Sequence, residues 1–221
     1  MIFKIANQMK VNKNNLFFIE QAGSLLSMPR SHIRSLGNTF DNIASHSFIT
    51  SVIAYIISRL EGLTHEQAMK SGLMGTYHDL AEARTGDLDF IAKNYTHDDE
   101  EQAVVDQFKN LEFGNDLLQL MIEYEERKTL VSRCAKDADS LAQMYIEWNL
   151  TWRGNKLAQA WFEGDFKNRV PNLYTKSAKN LAGLMRKSNP NEWWWSEFVT
   201  KTGKAKNLNH LMGKGFKKNN R

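Results

Sequence analysis

The residues able to do chemistry crowd into one stretch, Tyr77-His78-Asp79-Leu80-Ala81-Glu82-Ala83-Arg84-Thr85-Gly86-Asp87. Neighbours in an α-helix point about 100° apart. His78 and Asp79 can therefore share an ion only if it lies between their directions, near a bend or a helix end. Glu82 follows His78 by four residues and Asp79 by three, which puts all three on one flank. Asp87 comes after Gly86, where the chain can turn sharply back toward that flank. One imidazole and three carboxylates thus share a small volume. Carboxylates packed together repel and raise each other's pKa, and a divalent cation is the simplest way to make the arrangement favourable. The donors are nitrogen and oxygen without sulfur. That set suits manganese, cobalt, iron, zinc or magnesium rather than copper(I) or an iron–sulfur cluster.

Two more donors would complete such a site. His46, in Ala44-Ser45-His46-Ser47-Phe48, lies at the start of a long apolar stretch, where small neighbours leave it free to point into a cleft. Asp139 lies inside an otherwise apolar helical segment and needs a partner if buried. Asp137 competes with it, because the two differ by about 200° around a helix and only one can face a given site. Singly, each residue has a bland reading. His-Asp pairs recur by chance, a lone helical histidine is more often a satisfied core residue, and Asp139 could face solvent. The order His, His-Asp, Asp, with Glu and Gly-Asp closely following the pair, is what sets the group apart.

The elements that must position these residues read as helices. Leu16 to Leu26 has amphipathic spacing, residues 43–60 are apolar on several sides and should be central and buried, and Thr64 with Gln67 forms a capping box. That box starts a helix predicted to run to about Arg84, with Gly86 ending it. Further helices are expected around Ala103–Phe108, Leu117–Tyr124, Val131 to about Leu150, Leu157–Phe162 and Tyr174–Met185. Alternating strand-like runs are nearly absent, and only Pro29, Pro171 and Pro190 interrupt the chain. The fold class is all-α, one bundle of seven or more helices over residues 1–200, with a basic, flexible tail over 201–221. Met69, Met74, Met121 and Met144 read as core.

Composition bounds the function. The chain has 221 residues, is 42% hydrophobic and 24% charged, and holds one cysteine, Cys134. It is too apolar for wholesale disorder. A disulfide scaffold or a four-cysteine zinc site is excluded. No apolar run suits a signal peptide or approaches the ~20 residues of a membrane span, so a cytoplasmic location is expected and no membrane partner. The net charge of +4 is uneven. Seven of the 29 basic residues fall from Lys201 onward with no acidic one, and the remaining 22 face 25 acidic residues. A slightly acidic body is not a nucleic-acid binder.

From about Gly23 to Trp148 the sequence resembles the HD-domain metal-dependent phosphohydrolases, specifically the 5'-deoxynucleotidase-like branch. The stretch His78 to Asp87 is similar to that branch's His-Asp-x-x-Glu-x-x-x-Gly-Asp signature, Ala44-Ser45-His46-Ser47-Phe48 to its first-histidine motif, and Lys136-Asp137-Ala138-Asp139-Ser140-Leu141 to its Lys-x-x-Asp-x-Leu motif. The last match selects Asp139 over Asp137. The resemblance implies one divalent metal held by His46, His78, Asp79 and Asp139, with Glu82 and Asp87 as catalytic groups. Met28-Pro29-Arg30-Ser31 looks like the branch's Pro-Arg segment, which implies Arg30 as phosphate binder. His32 stands where glycine is usual and the tryptophan that follows in the branch is missing, so 2'-deoxy selectivity is not carried over. Arg34 becomes a second phosphate candidate with His32 beside it, and Lys93 matches a lysine that often follows the signature. The Pro-Thr-Pro that commonly follows the Gly-Asp is absent from Asp87-Leu88-Asp89-Phe90.

The implied partner is a nucleoside 5'-monophosphate, cleaved to nucleoside and phosphate, and the implied assembly is a homodimer. Hydrolysis of a nucleoside triphosphate is a second reading, and a catalytically silent nucleotide-binding domain a third. Glu82 and Asp87 argue against the third, since a silent protein need not keep them. Trp193-Trp194-Trp195 is expected to pack against the domain or a dimer partner, and His65 and His97 to be solvated.

Overall fold

The structure, a computed structural model, describes residues 10–37, 40–96 and 99–206. Local capping explains where its helices begin. Asn12 and Asn15 form a reciprocal box at the start of α1 (Lys13–Ser24). After a short second helix, α2 (Ile33–Leu36), Asn42 and Ser45 do the same for α3 (Ile43–Leu60), and Thr64 and Gln67 for α4 (His65–Tyr77). A single turn, α5 (Glu82–Thr85), stops at Gly86 with φ 78°, a value that favours glycine. Then come α6 (Glu100–Phe108), α7 (Gly114–Glu126), α8 (Leu130–Trp152), α9 (Lys156–Asn168), α10 (Lys176–Lys187) and α11 (Glu192–Phe198). Side chains of Asp99, Thr129, Asn155 and Thr175 cap α6, α8, α9 and α10. Among the described residues there is no strand, so the fold is the expected all-α bundle.

The axis of the bundle is α3 packed against α4 and α8. Gly72 and Gly75 let α4 approach closely, since a Cβ on Gly75 would sit 2.9 Å from the Ser51 backbone nitrogen. One apolar cluster joins Phe18, Met74, Leu80, Phe108 and Tyr124; a second joins Ile53, Ile57, Leu141, Met144 and Phe162 around buried Cys134. Asp137 is fully enclosed and accepts hydrogen bonds from the Tyr174 and Thr175 amides and the Thr175 hydroxyl, which pins the start of α10.

Several expectations are corrected. The helix predicted from Thr64 to Arg84 breaks after Tyr77 and resumes at Glu82: the Leu80 and Glu82 amides bond three residues back, to Tyr77 and Asp79, in place of the helical ladder, and Leu80 and Ala81 are buried there. On α1 only Phe18 is buried, while Leu16, Phe17 and Ile19 face outward. α3 buries one face and exposes Phe48, Val52 and Ile56 on the other. It is long and apolar enough to cross a membrane by length and composition, but α4 and α8 occupy its inner face and that face carries His46, as in a core helix. Met69 is half-exposed, unlike Met74, Met121 and Met144. Trp193 and Trp195 are largely exposed rather than packed against the domain of their own chain. His65 is exposed, as expected, and meets the Tyr55 hydroxyl at 3.1 Å. His97 and residues 207–221 of the basic tail lie outside the described residues.

Candidate metal centre and cleft

Three elements deliver the chemistry-bearing residues to one point. His46 sits one turn into α3, His78 and Asp79 occupy the bend after α4, and Asp139 projects from the middle of α8. The His46 and His78 Nε2 atoms stand 3.3 Å apart. Asp139 Oδ1 lies 3.1 Å from the first and 3.5 Å from the second; Asp79 Oδ2 lies 3.6 Å and 3.2 Å away. His78 Nδ1 donates to the Gly75 carbonyl at 3.0 Å. That bond fixes the ring's orientation and aims Nε2 at the others, the outer-shell arrangement usual for metal-binding histidines. The bend allows it: in a continuous helix His78 and Asp79 would diverge.

The electrostatics ask for positive charge here. Burial opposes a charged His78, yet Asp79 and Asp139 outweigh it and raise its pKa to about 10. Burial opposes ionised Asp79 and Asp139 too, but the histidines, with Arg30 and Lys136, hold both below the usual carboxylate range. His46 is lowered, chiefly by burial. A proton on His78 and a divalent cation answer the same need. Each of the two imidazole nitrogens, 3.3 Å apart, lies 3.1–3.6 Å from one oxygen of Asp79 and one of Asp139, a donor set that fits a divalent ion. His46, His78 and Asp139 form the tightest trio, and Asp79 Oδ2 contacts both histidines.

Around this centre lies a cleft of about 880 Å³. Arg30 is placed by the antiparallel bridge between Pro29 and Asn42, beside the start of α3. Its guanidinium bonds Asp79 at 2.8 Å, lies 3.5 Å from Asp87 and reaches Glu82 at 4.0 Å. Burial opposes its charge, but those three carboxylates and Asp139 raise its pKa. Glu82 is buried, and its Oε2 has no hydrogen-bond partner. Burial first, then Asp79 and Asp87, raise its carboxyl to about 9. Asp87 is occupied by Ser31, accepting from its amide at 2.8 Å and its hydroxyl at 3.0 Å.

The remaining sequence candidates divide. His32 lines the cleft and meets Asp41 at 2.8 Å. Lys93 lies on the rim, among the exposed residues. Arg34 turns outward to Asp89 at 3.0 Å and does not line the cleft. The opposite wall was not anticipated. It consists of Tyr124, Arg127 and Lys136, with Gln143 and Glu147 of α8 and Trp161, Asp165 and Arg169 of α9. The i, i+4 recurrence of Asp139, Gln143 and Glu147 was the available signal.

The HD domain family model matches residues 22–181. A crystal structure known as genomics APC5600 is similar at 29% identity and TM-score 0.66, covering 82% of this chain and 99% of its own. A conserved hypothetical protein from Pyrococcus furiosus is 21% identical, TM-score 0.64, covering 78% and 99%. A protein from Pyrococcus horikoshii OT3 is 22% identical, TM-score 0.59, covering 78% and 96%. The last two likenesses are of fold. No curated protein matched the chain.

Proposed function

The chain belongs to the HD domain family, whose members are generally metal-dependent hydrolases, and from that premise we propose that it releases phosphate from nucleoside 5'-monophosphates. The observation that carries the reading is the convergence of two imidazoles and two carboxylates on one point beside a buried guanidinium. His46, His78, Asp79 and Asp139 would hold one divalent ion, which when bound supplies Lewis acidity and an acidified water. Arg30 offers a planar fork to a phosphate, a match lysine lacks. It must then exchange Asp79 or Asp87 for the substrate, and Ser31 keeps Asp87 satisfied when it does.

Glu82 takes the proton of the attacking water as the bond from phosphorus to the 5'-oxygen breaks, and that oxygen takes its proton from solvent water, to which Glu82 later returns its own. As it stands Glu82 holds a proton of its own; added positive charge between Asp79 and Asp139 would free it. Asp87, fixed by Ser31, serves the sugar hydroxyl or the leaving oxygen. The second reading, a triphosphate substrate, is supported by Arg127, Lys136 and Lys93 on the cleft wall.

The test is phosphate release from mono- and triphosphates with manganese, cobalt or magnesium. Orthophosphate from monophosphates is the expected product, abolished by chelator and restored by metal; triphosphate release or complete inactivity would sink the reading. Glu82→Ala should keep the metal and lose about 10²–10⁴-fold in turnover. A near-normal rate would remove Glu82 from its role.

A further inference from the structure

The far end of the cleft holds a group that the phosphate chemistry does not use. Glu147 is 2% exposed, lines the cleft, and accepts from the Gln143 amide at 3.0 Å through Oε1. Its Oε2 is buried without a hydrogen-bond partner. Among the described residues no cation stands within ion-pair distance of it, whereas Asp165 opposite has Arg169 at 3.0 Å. Buried polar atoms of this kind are rare and ask for a reason. Packing supplies none: Leu150 and Ile146 beside it on α8 show that apolar side chains fill this region.

Position supplies one. Glu147 follows Asp139 by eight residues along the cleft face of α8, about 12 Å. That span is comparable to the reach of a nucleotide from its phosphate to the outer edge of its base. Trp161, partly buried on α9 one turn before Asp165, gives the same end of the cleft a flat aromatic wall. Resting on the nucleotide reading above, we propose that Glu147 is a specificity-determining residue that selects a base presenting two adjacent N–H donors, which among the common bases is the N1–H and 2-amino edge of guanine.

The chemistry excludes the alternatives in turn. A carboxylate accepts two parallel N–H bonds in bidentate fashion. Adenine and cytosine offer one amino group beside a bare ring nitrogen, whose lone pair opposes a carboxylate oxygen. Uracil and thymine offer one N–H flanked by two carbonyls, which oppose it on both sides. The Gln143 bond leaves Oε1 a second lone pair, so both oxygens of Glu147 remain able to accept.

The experiment compares kcat/KM for guanosine, inosine, adenosine, cytidine and uridine 5'-monophosphates in the wild-type enzyme and in Glu147→Gln. The wild type should prefer guanine by about tenfold or more, with hypoxanthine, which keeps N1–H and lacks the amino group, in between. Glu147→Gln replaces one acceptor with a donor and should collapse that ranking. Equal rates across bases, or an unchanged ranking in the variant, overturn the inference and leave the nucleotidase reading standing. If no monophosphate is hydrolysed, the nucleotidase reading fails separately. Base selection is then read from calorimetric binding of guanosine against uridine: tighter guanosine binding that Glu147→Gln removes upholds it, and indistinguishable binding overturns it. Melting temperature and metal content show that the variant is folded, and Glu147→Met is read in the same assays should it not be.

Discussion

Burial of Glu147 has a thermodynamic signature that can be measured without any ligand. Burial first, then the nearby Asp165, raises its carboxyl to about 7 against the usual 4.5. The folded chain therefore holds a proton that the unfolded chain has released between these values, and stability falls as pH rises through that window. Below about pH 4.5 the penalty is absent; above about pH 7 it is complete, on the order of 3 kcal/mol. Glu147→Gln removes it. Denaturant unfolding of both proteins should show the variant gaining on the wild type from pH 5 to pH 8. A constant difference would mean that Glu147 is solvated. At this same scale the metal end of the site was legible. His78 and Asp79 announced themselves by type and spacing and His46 by its small neighbours, whereas Asp139 was preferred through the family motif. Asp137 and Asp139 could not be separated by helical phase alone. The fold separates them, since Asp137 is consumed in capping α10. Glu147 and Trp161 were not legible as site residues, because nothing in one helix's periodicity says which neighbour its polar positions meet.

Between residue and fold, the decisive element is the junction of α4 with the bend at His78. Periodicity indicated a helix through to Arg84, and capping fixed its start correctly at Thr64. The break could not be read because Leu80 and Ala81 look as helical as their neighbours; in the fold both are buried, Leu80 in the core cluster of Met74 and Phe108. Gly75 is the hinge of this arrangement in two ways. Its carbonyl receives His78 Nδ1, and its missing Cβ lets α4 lie against the α3 backbone, where an added methyl would stand 2.9–3.0 Å from Ser51 and Thr50 main-chain atoms. Backbone cannot move aside as a flexible side chain can. Gly75→Ala should push α4 off α3, destabilise the protein by about 1–3 kcal/mol and separate His78 from His46. Thermal unfolding and manganese binding by calorimetry check both parts. Lost stability with unchanged metal affinity would mean that the two histidines are positioned independently of the α3–α4 contact.

At the scale of the whole molecule, α3 has a face turned to the chemistry and an exposed apolar one. His46, Thr50 and Ile57 face inward, while Phe48, 67% exposed, Val52 and Ile56 recur at four-residue spacing along the outer face. Such a stripe on a central helix is more apolar than an isolated surface residue and is the kind of surface that protein partners cover. The homodimer expected from the family resemblance would bury it, and self-association through one stripe is isologous, with two copies of α3 meeting about a twofold axis. The outer face points away from His46, so a charge placed there leaves the metal centre intact. Val52→Glu and Ile56→Glu should therefore convert a species of twice 25.5 kDa into monomers in sedimentation equilibrium, with metal content unchanged. A monomeric wild type, or a dimer indifferent to both substitutions, would place the partner surface elsewhere. If the dimer does form here, α3 couples assembly to chemistry: its inner face carries a metal ligand, and the helix that aligns His46 with His78 is the one the second copy holds.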